Sequence, residues 1–180
     1  MRRVMLTGLI TVGLLTGCTQ QQQDNAAPPE GTAPSVQPSS SAAPELPPAP
    51  EPGAEADCPY LDRSFIANAN GQRVSQVRIS AEEPSPSCFF YALSGKPQLT
   101  VRVYTGESAV AEGLVDQAAP VESSNPAQQP AGWEGGYLSN EDGAVYAVAK
   151  EGNAVIVTTN QQQSVKARTV AEEAISALGI

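Results

Sequence analysis

Two cysteines, Cys58 and Cys88, lie beyond residue 56 of the chain, and no other thiol accompanies them there. Their spacing is far too wide for a CxxC redox pair, and without third and fourth ligands they make no zinc site. The chain contains no histidine, which removes both the commonest metal ligand and the commonest general base at neutral pH. What remains for the two thiols is a disulfide, and a disulfide needs an oxidising compartment. Closing a loop of about 30 residues would stabilise a fold by about 3–4 kcal/mol in the chain-entropy model. The reading is therefore a small exported domain clamped between Cys58 and Cys88, with no metal and no cofactor.

The third cysteine accounts for the export. Arg2 and Arg3 form a positive n-region, Val4 to Leu15 form an apolar h-region, and Leu15-Thr16-Gly17-Cys18 closes it with small residues ahead of a thiol. This end resembles a bacterial lipoprotein signal with its lipobox, spanning residues 1–18. The resemblance implies that Cys18 becomes the new N-terminus and carries a diacylglycerol thioether. The apolar run falls short of the ~20 residues that cross a bilayer, whereas two or more acyl chains hold a protein firmly to its surface. The expected location is the extracytoplasmic face of the cell membrane, with the membrane as partner through the lipid on Cys18.

Residues 19–56 change character: a glutamine run from Gln20 to Gln23, then Pro, Ala, Ser and Glu, with no aromatic residue and no Lys or Arg. Such a stretch buries too little apolar surface to offset chain entropy and is expected to be a disordered Pro/Ala/Gln-rich tether. It could span roughly 30 Å as a coil and about 120 Å when stretched. A spacer explains that composition better than a docking site for a proline-binding partner.

From residue 57 to 180 the pattern is that of a single packed domain. Leu61 and Phe65 fall four apart after Pro59, and Asn70-Gly71 supplies a stop, which predicts a short first helix. Val77 and Ile79, then Phe89 to Leu93, then Leu99, Val101 and Val103 read as three antiparallel strands. A second helix is predicted from about Glu107 to Ala118, ended by Pro120, and a polar loop from about Val121 to Pro130. Strands near Gly136 to Ser139, Ala144 to Lys150 and Ala154 to Thr159 follow, with Val155-Ile156-Val157 suited to a centre covered on both faces. Ala167, Val170, Ala171, Ala174, Ile175 and Leu178 line one face of a closing helix that Ser164 can cap and Gly179 ends. The expected class is α+β: an antiparallel sheet packed by about three helices, with one disulfide. Strands followed by a helix occur twice, as a duplicated half would.

The net charge of −9 and a pI near 4.4 argue against nucleic acid, which needs a cationic patch, and suit a monomer. No nucleophile stands beside a base. Glu82-Glu83 and Glu141-Asp142 are adjacent pairs that diverge on a strand or turn, so they read as solvated charges and not as an acid/base couple. Asn140-Glu141-Asp142-Gly143 reads as a hairpin turn, since it lacks the regular oxygen ligands of a calcium loop. The lone tryptophan, Trp133, sits among Gly132, Gly135 and Gly136. It either caps the core edge or stands as a mobile aromatic that meets a partner.

Across the domain, Cys58-Pro59-Tyr60-Leu61-Asp62, Asn70-Gly71-Gln72-Arg73-Val74, Cys88-Phe89-Phe90-Tyr91, Leu99-Thr100-Val101-Arg102-Val103-Tyr104 and Gly143-Ala144-Val145-Tyr146-Ala147-Val148 resemble an actinobacterial lipoprotein family with a domain of unknown function. That resemblance implies a corynebacterial or mycobacterial type of envelope and no particular activity. At the level of fold alone, the closing strands and helix are similar to the extracytoplasmic sensor domains of mycobacterial receptor kinases and to other mycobacterial lipoproteins. The function expected is a non-enzymatic binding or accessory module of the cell envelope. Its partner, an envelope protein or a small apolar ligand, would meet the surface formed by the loop from Val121 to Gly136. The alternatives, in order, are a carrier of an apolar ligand or lipid and an envelope-modifying enzyme.

Overall fold

The computed structural model describes residues 43–180. The expected signal peptide, the lipid-accepting Cys18 and the first part of the expected tether lie outside the described residues.

The first helix is set by Asp62. Its Oδ1 accepts from the Ser64 amide (2.7 Å), the Phe65 amide (3.3 Å) and the Ser64 hydroxyl, so α1 runs Arg63–Asn70. Pro59 therefore stays outside the helix. Leu61 and Ile66 flank this cap at the two positions of a hydrophobic staple, and both are buried. Gly71 closes the helix at φ 74°, a left-handed conformation that glycine adopts without steric cost.

Three strands follow as a meander: β1 (Val74–Ile79), β2 (Cys88–Ala92) and β3 (Pro97–Thr105). After α2 (Ser108–Ala118) come β4 (Asn125–Ala127), β5 (Glu134–Asn140), β6 (Gly143–Lys150), β7 (Asn153–Thr159) and α3 (Ser164–Leu178). All seven strands form one antiparallel sheet in the order β1-β2-β3-β7-β6-β5-β4. The α+β class with three helices and one disulfide is thus as the sequence predicts. The two three-stranded meanders meet at β3 and β7, and each is followed by a helix, which is the repeat the element pattern suggests.

Because side chains alternate along a strand, β7 serves two cores. Val155 and Val157 point to α3 together with Tyr146, Val148, Ala167, Val170 and Ala174, while Ala154 and Ile156 point to α2 with Val110, Ala111 and Leu114. The apolar run Val155-Ile156-Val157 is therefore central and covered on both faces.

Three local departures have physical reasons. β4 lies within the loop expected from Val121 to Pro130; it carries Pro126, which lacks an N–H and is tolerated because the strand is an edge paired only with β5. Ser164 is the first residue of α3 and does not cap it, Gln163 taking the cap position without a side-chain bond. The third departure corrects the boundary expected at residue 56. Arg102 Nη2 donates to the carbonyls of Pro47 (3.1 Å) and Pro48 (2.8 Å), the Gly53 amide donates to Ile79, and Leu46 joins the α2 core. The last part of the expected tether is thus laid on the domain, since one leucine and a row of free carbonyls give it enough to bind.

Candidate functional site

The disulfide forms as expected: Cys58 and Cys88 are bonded, with their Cα atoms 5.7 Å apart, and both belong to the main core. Beside it the Tyr60 hydroxyl donates to the Pro86 carbonyl (2.8 Å), and burial pushes its pKa well above the ordinary phenol value. These groups tie the segment before α1 to the start of β2.

Trp133 is placed otherwise than a partner-contacting role requires. It is 2 % exposed and lies in the main core cluster, so its indole meets no partner in this conformation. Glycine freedom matters at Gly132, whose φ is +85°, where the chain turns. Gly135 serves close approach instead: a Cβ there would stand 2.9 Å from both Val115 Cγ1 and Val148 Cα. That glycine lets α2 settle against β5 and β6.

The loop from Val121 to Gly136 nevertheless shapes a surface concavity. A cleft of about 450 Å³ opens between α2 and β4–β5, floored by Val115, Ala119, Ala127 and Ala149, with Glu112, Asp116 and Glu134 around it and Val121, 81 % exposed, at its mouth. A second hollow of about 410 Å³ shares Glu112, Glu134 and Ala149 and adds Ser108, Lys150 and Glu151. Small side chains at Ala111, Ala119 and Ala149 leave this space, and four carboxylates against one ammonium give it negative charge. Such a surface favours a cationic or amphipathic partner.

The remaining candidates are solvated as expected. Glu82, Glu83, Glu141 and Asp142 are all exposed. Asn140 Oδ1 accepts from the Asp142 (2.9 Å) and Gly143 (3.1 Å) amides, the geometry of a hairpin turn. Among the described residues no group of three or more His, Cys, Asp or Glu is placed to hold a metal ion, and no helix is long and apolar enough to cross a membrane.

A buried polar cluster has no counterpart in the sequence reading. Asn70, fully buried, donates from Nδ2 to Gln98 Oε1 (3.0 Å) and accepts from Thr159 Oγ1 (2.5 Å); Gln98 in turn donates to the carbonyls of Arg73 and Tyr91. Lys166 Nζ reaches the Asn70 carbonyl and Gln161 Oε1, each at 3.0 Å. The cluster fastens α1, β3, β7 and α3 together. Its polar groups are satisfied by one another, which makes it a structural knot and leaves no valence for a ligand.

A family model for a domain of unknown function, DUF2020, matches residues 39–180. The chain belongs to that family. A search of the curated proteins finds no match. The DUF2020 region begins ahead of residue 57 and takes in the proline-rich segment that the structure lays on the sheet, so sequence family and structure agree on where the domain starts. Among the described residues the one serine hydroxyl that donates to a carboxylate is Ser64, to Asp62, and that contact caps α1 on the exposed surface.

Proposed function

We propose that this DUF2020 protein is an exported actinobacterial lipoprotein, anchored through lipid on Cys18 at the extracytoplasmic face of the membrane, whose domain is a non-enzymatic binding module of the cell envelope. The observation that carries the binding reading is the cleft between α2 and β4–β5, an apolar floor of about 450 Å³ rimmed by Glu112, Asp116 and Glu134. A hydrophobic floor supplies affinity and a charged rim selects the partner. The partner that fits is an envelope protein presenting lysine or arginine around an apolar side chain. The export reading rests on the lipobox Leu15-Thr16-Gly17-Cys18 and on the disulfide, a bond that persists in oxidising compartments.

A carrier of an apolar ligand is the second reading, since the same floor would accept an acyl chain or small apolar molecule. Against it, the space between the sheet and α3 is filled by fully buried Val148, Val155, Val157, Val170 and Ala171. An enzyme on wall or lipid material comes third.

The test is photocrosslinking in living cells from a photoreactive residue at position 121. A captured envelope protein whose capture disappears in the Glu112→Lys/Glu134→Lys variant supports the binding module. A captured lipid supports the carrier, and no capture contradicts both. The anchor is tested separately: radiolabelled palmitate is expected in the wild-type protein and absent from Cys18→Ala.

A further inference from the structure

The proline-rich segment ahead of α1 is held at three places, and each uses a residue suited to the task. Leu46, the only leucine between residues 19 and 56, is half-buried and packs against the α2 core. The helix receives it at Gly113, where a Cβ would stand 2.8 Å from Leu46 Cδ2 and 3.6 Å from Pro44 Cγ. Glycine in a helix interior is unfavourable, so its presence opposite the one leucine of the segment marks a seat. At the second place Arg102 of β3 binds the Pro47 and Pro48 carbonyls. Proline offers no N–H, so carbonyls are the backbone groups such a run can present.

At the third place the segment adds to the sheet edge. The Gly53 amide donates to the Ile79 carbonyl (2.9 Å), the Ile79 amide donates to Ala54 (3.0 Å), and Glu55 pairs antiparallel with Arg78. Arg78 also donates to the Gly53 carbonyl, and Gln76 to the Glu55 carboxylate. A Cβ at Gly53 would stand 2.9 Å from the Ile79 oxygen, which again demands glycine. The segment is nevertheless open to solvent at its holds: residues 51–55 are exposed, and a space of about 350 Å³ lies beside Pro47 and Pro48, lined by Glu82, Ser85, Arg102 and Tyr104.

Leucine seat, carbonyl-binding arginine and sheet edge together make the elements of a peptide receptor, combining polyproline recognition with strand addition. We propose that the α2-side groove across β3 and β1 is a receptor for an extended, acidic, proline-rich peptide carrying one leucine, that residues 44–55 occupy it in cis as a releasable strap, and that it accepts the same segment of a second copy in trans. The segment offers identical groups from either source. In cis its effective concentration, in the millimolar range for a short flexible connection, keeps the groove occupied.

The experiment titrates a fluorescent peptide of residues 43–56 against the full chain. Leu46→Asp, which empties the seat in cis, is expected to bind the peptide at least ten-fold more tightly than wild type, and bound peptide should slow hydrogen exchange at the Ile79 amide. Adding Gly113→Leu to Leu46→Asp fills the seat and should abolish binding, as should a peptide carrying Asp in place of its leucine. Retained exchange protection in β6 and β7 reports that each variant is folded, and Leu46→Ala, which shortens the same strap side chain and leaves the groove intact, gives a second route to the same release should Leu46→Asp not fold. Equal peptide binding by wild type and both releasing variants, or unchanged binding after Gly113→Leu, overturns the proposal.

Discussion

The two meanders of the sheet are alike in topology and unlike in what covers them. β5, β6 and β7 are sandwiched, with α3 on one face and α2 on the other, and their side chains feed both core clusters. β1, β2 and β3 have the short α1 and the Cys58–Cys88 bond on one face, and on the other a proline-rich segment held by Arg78, Arg102 and Leu46. One half is stabilised by packed helices, the other by a covalent clamp and a strap, and the polar knot ties the two together. A small domain that cannot cover its whole sheet with helices uses crosslinks where burial is thin.

The contrast can be broken at several points, the largest effect coming first. Trp133→Ala, in the core cluster at the entry to β5, should cost about 3–5 kcal/mol in urea unfolding; a surface aromatic would cost within about 0.5 kcal/mol, which would restore Trp133 as a contact residue. Replacing Cys58 and Cys88 together by serine should cost about 3–4 kcal/mol, and near-neutral behaviour would mean that the first meander does not need its clamp. Asn70→Ala takes away the partners of Gln98 Oε1 and of the Thr159 hydroxyl proton and should cost about 1–3 kcal/mol for each group so stranded. The same substitution at an exposed asparagine such as Asn125 is the control.

The smallest effect is a pH dependence at the head of α1. The Ser64 hydroxyl, then the Ser64 and Phe65 amides, hold the Asp62 carboxyl below the ordinary aspartate range. A carboxyl whose pKa is lower folded than unfolded binds fewer protons in the native state. Its contribution is therefore present above the unfolded value and is lost as pH falls through the folded one. Acid titration of stability should show a dip below about pH 4 that is shallower in Asp62→Asn. Equal slopes in the two proteins would remove Asp62 as the cap that matters.

Much of the second meander is legible in the sequence, because packing against helices leaves periodic marks. Ala167, Val170, Ala171 and Ala174 repeat at helical spacing, Gly179 stops the helix at φ 68°, and Val155-Ile156-Val157 announces a strand buried on both faces. The disulfide is legible by elimination. The strap is not, because it binds through proline carbonyls and two backbone hydrogen bonds to Ile79, which impose no periodicity; only Leu46 and Gly113 betray it, and they lie far apart in sequence. β4 escapes because Pro126 argues against a strand unless its place at the edge is known. Asn70 reads as part of a helix stop and Gln98 carries no mark at all, since the burial that makes them matter arises from four separate elements. The candidate cleft was legible as a loop, Val121 to Gly136, but the glycines that suggested a mobile Trp133 instead allow α2 to approach β5.

The difference between the meanders is tested most directly by native-state hydrogen exchange on the intact chain with and without reductant. Reduction should release the amides of β1 and β2 through a partial opening while β6, β7 and α3 keep the protection of the globally folded state. Simultaneous loss of protection in both meanders would contradict the account, because clamp and strap would then have no region of their own to hold.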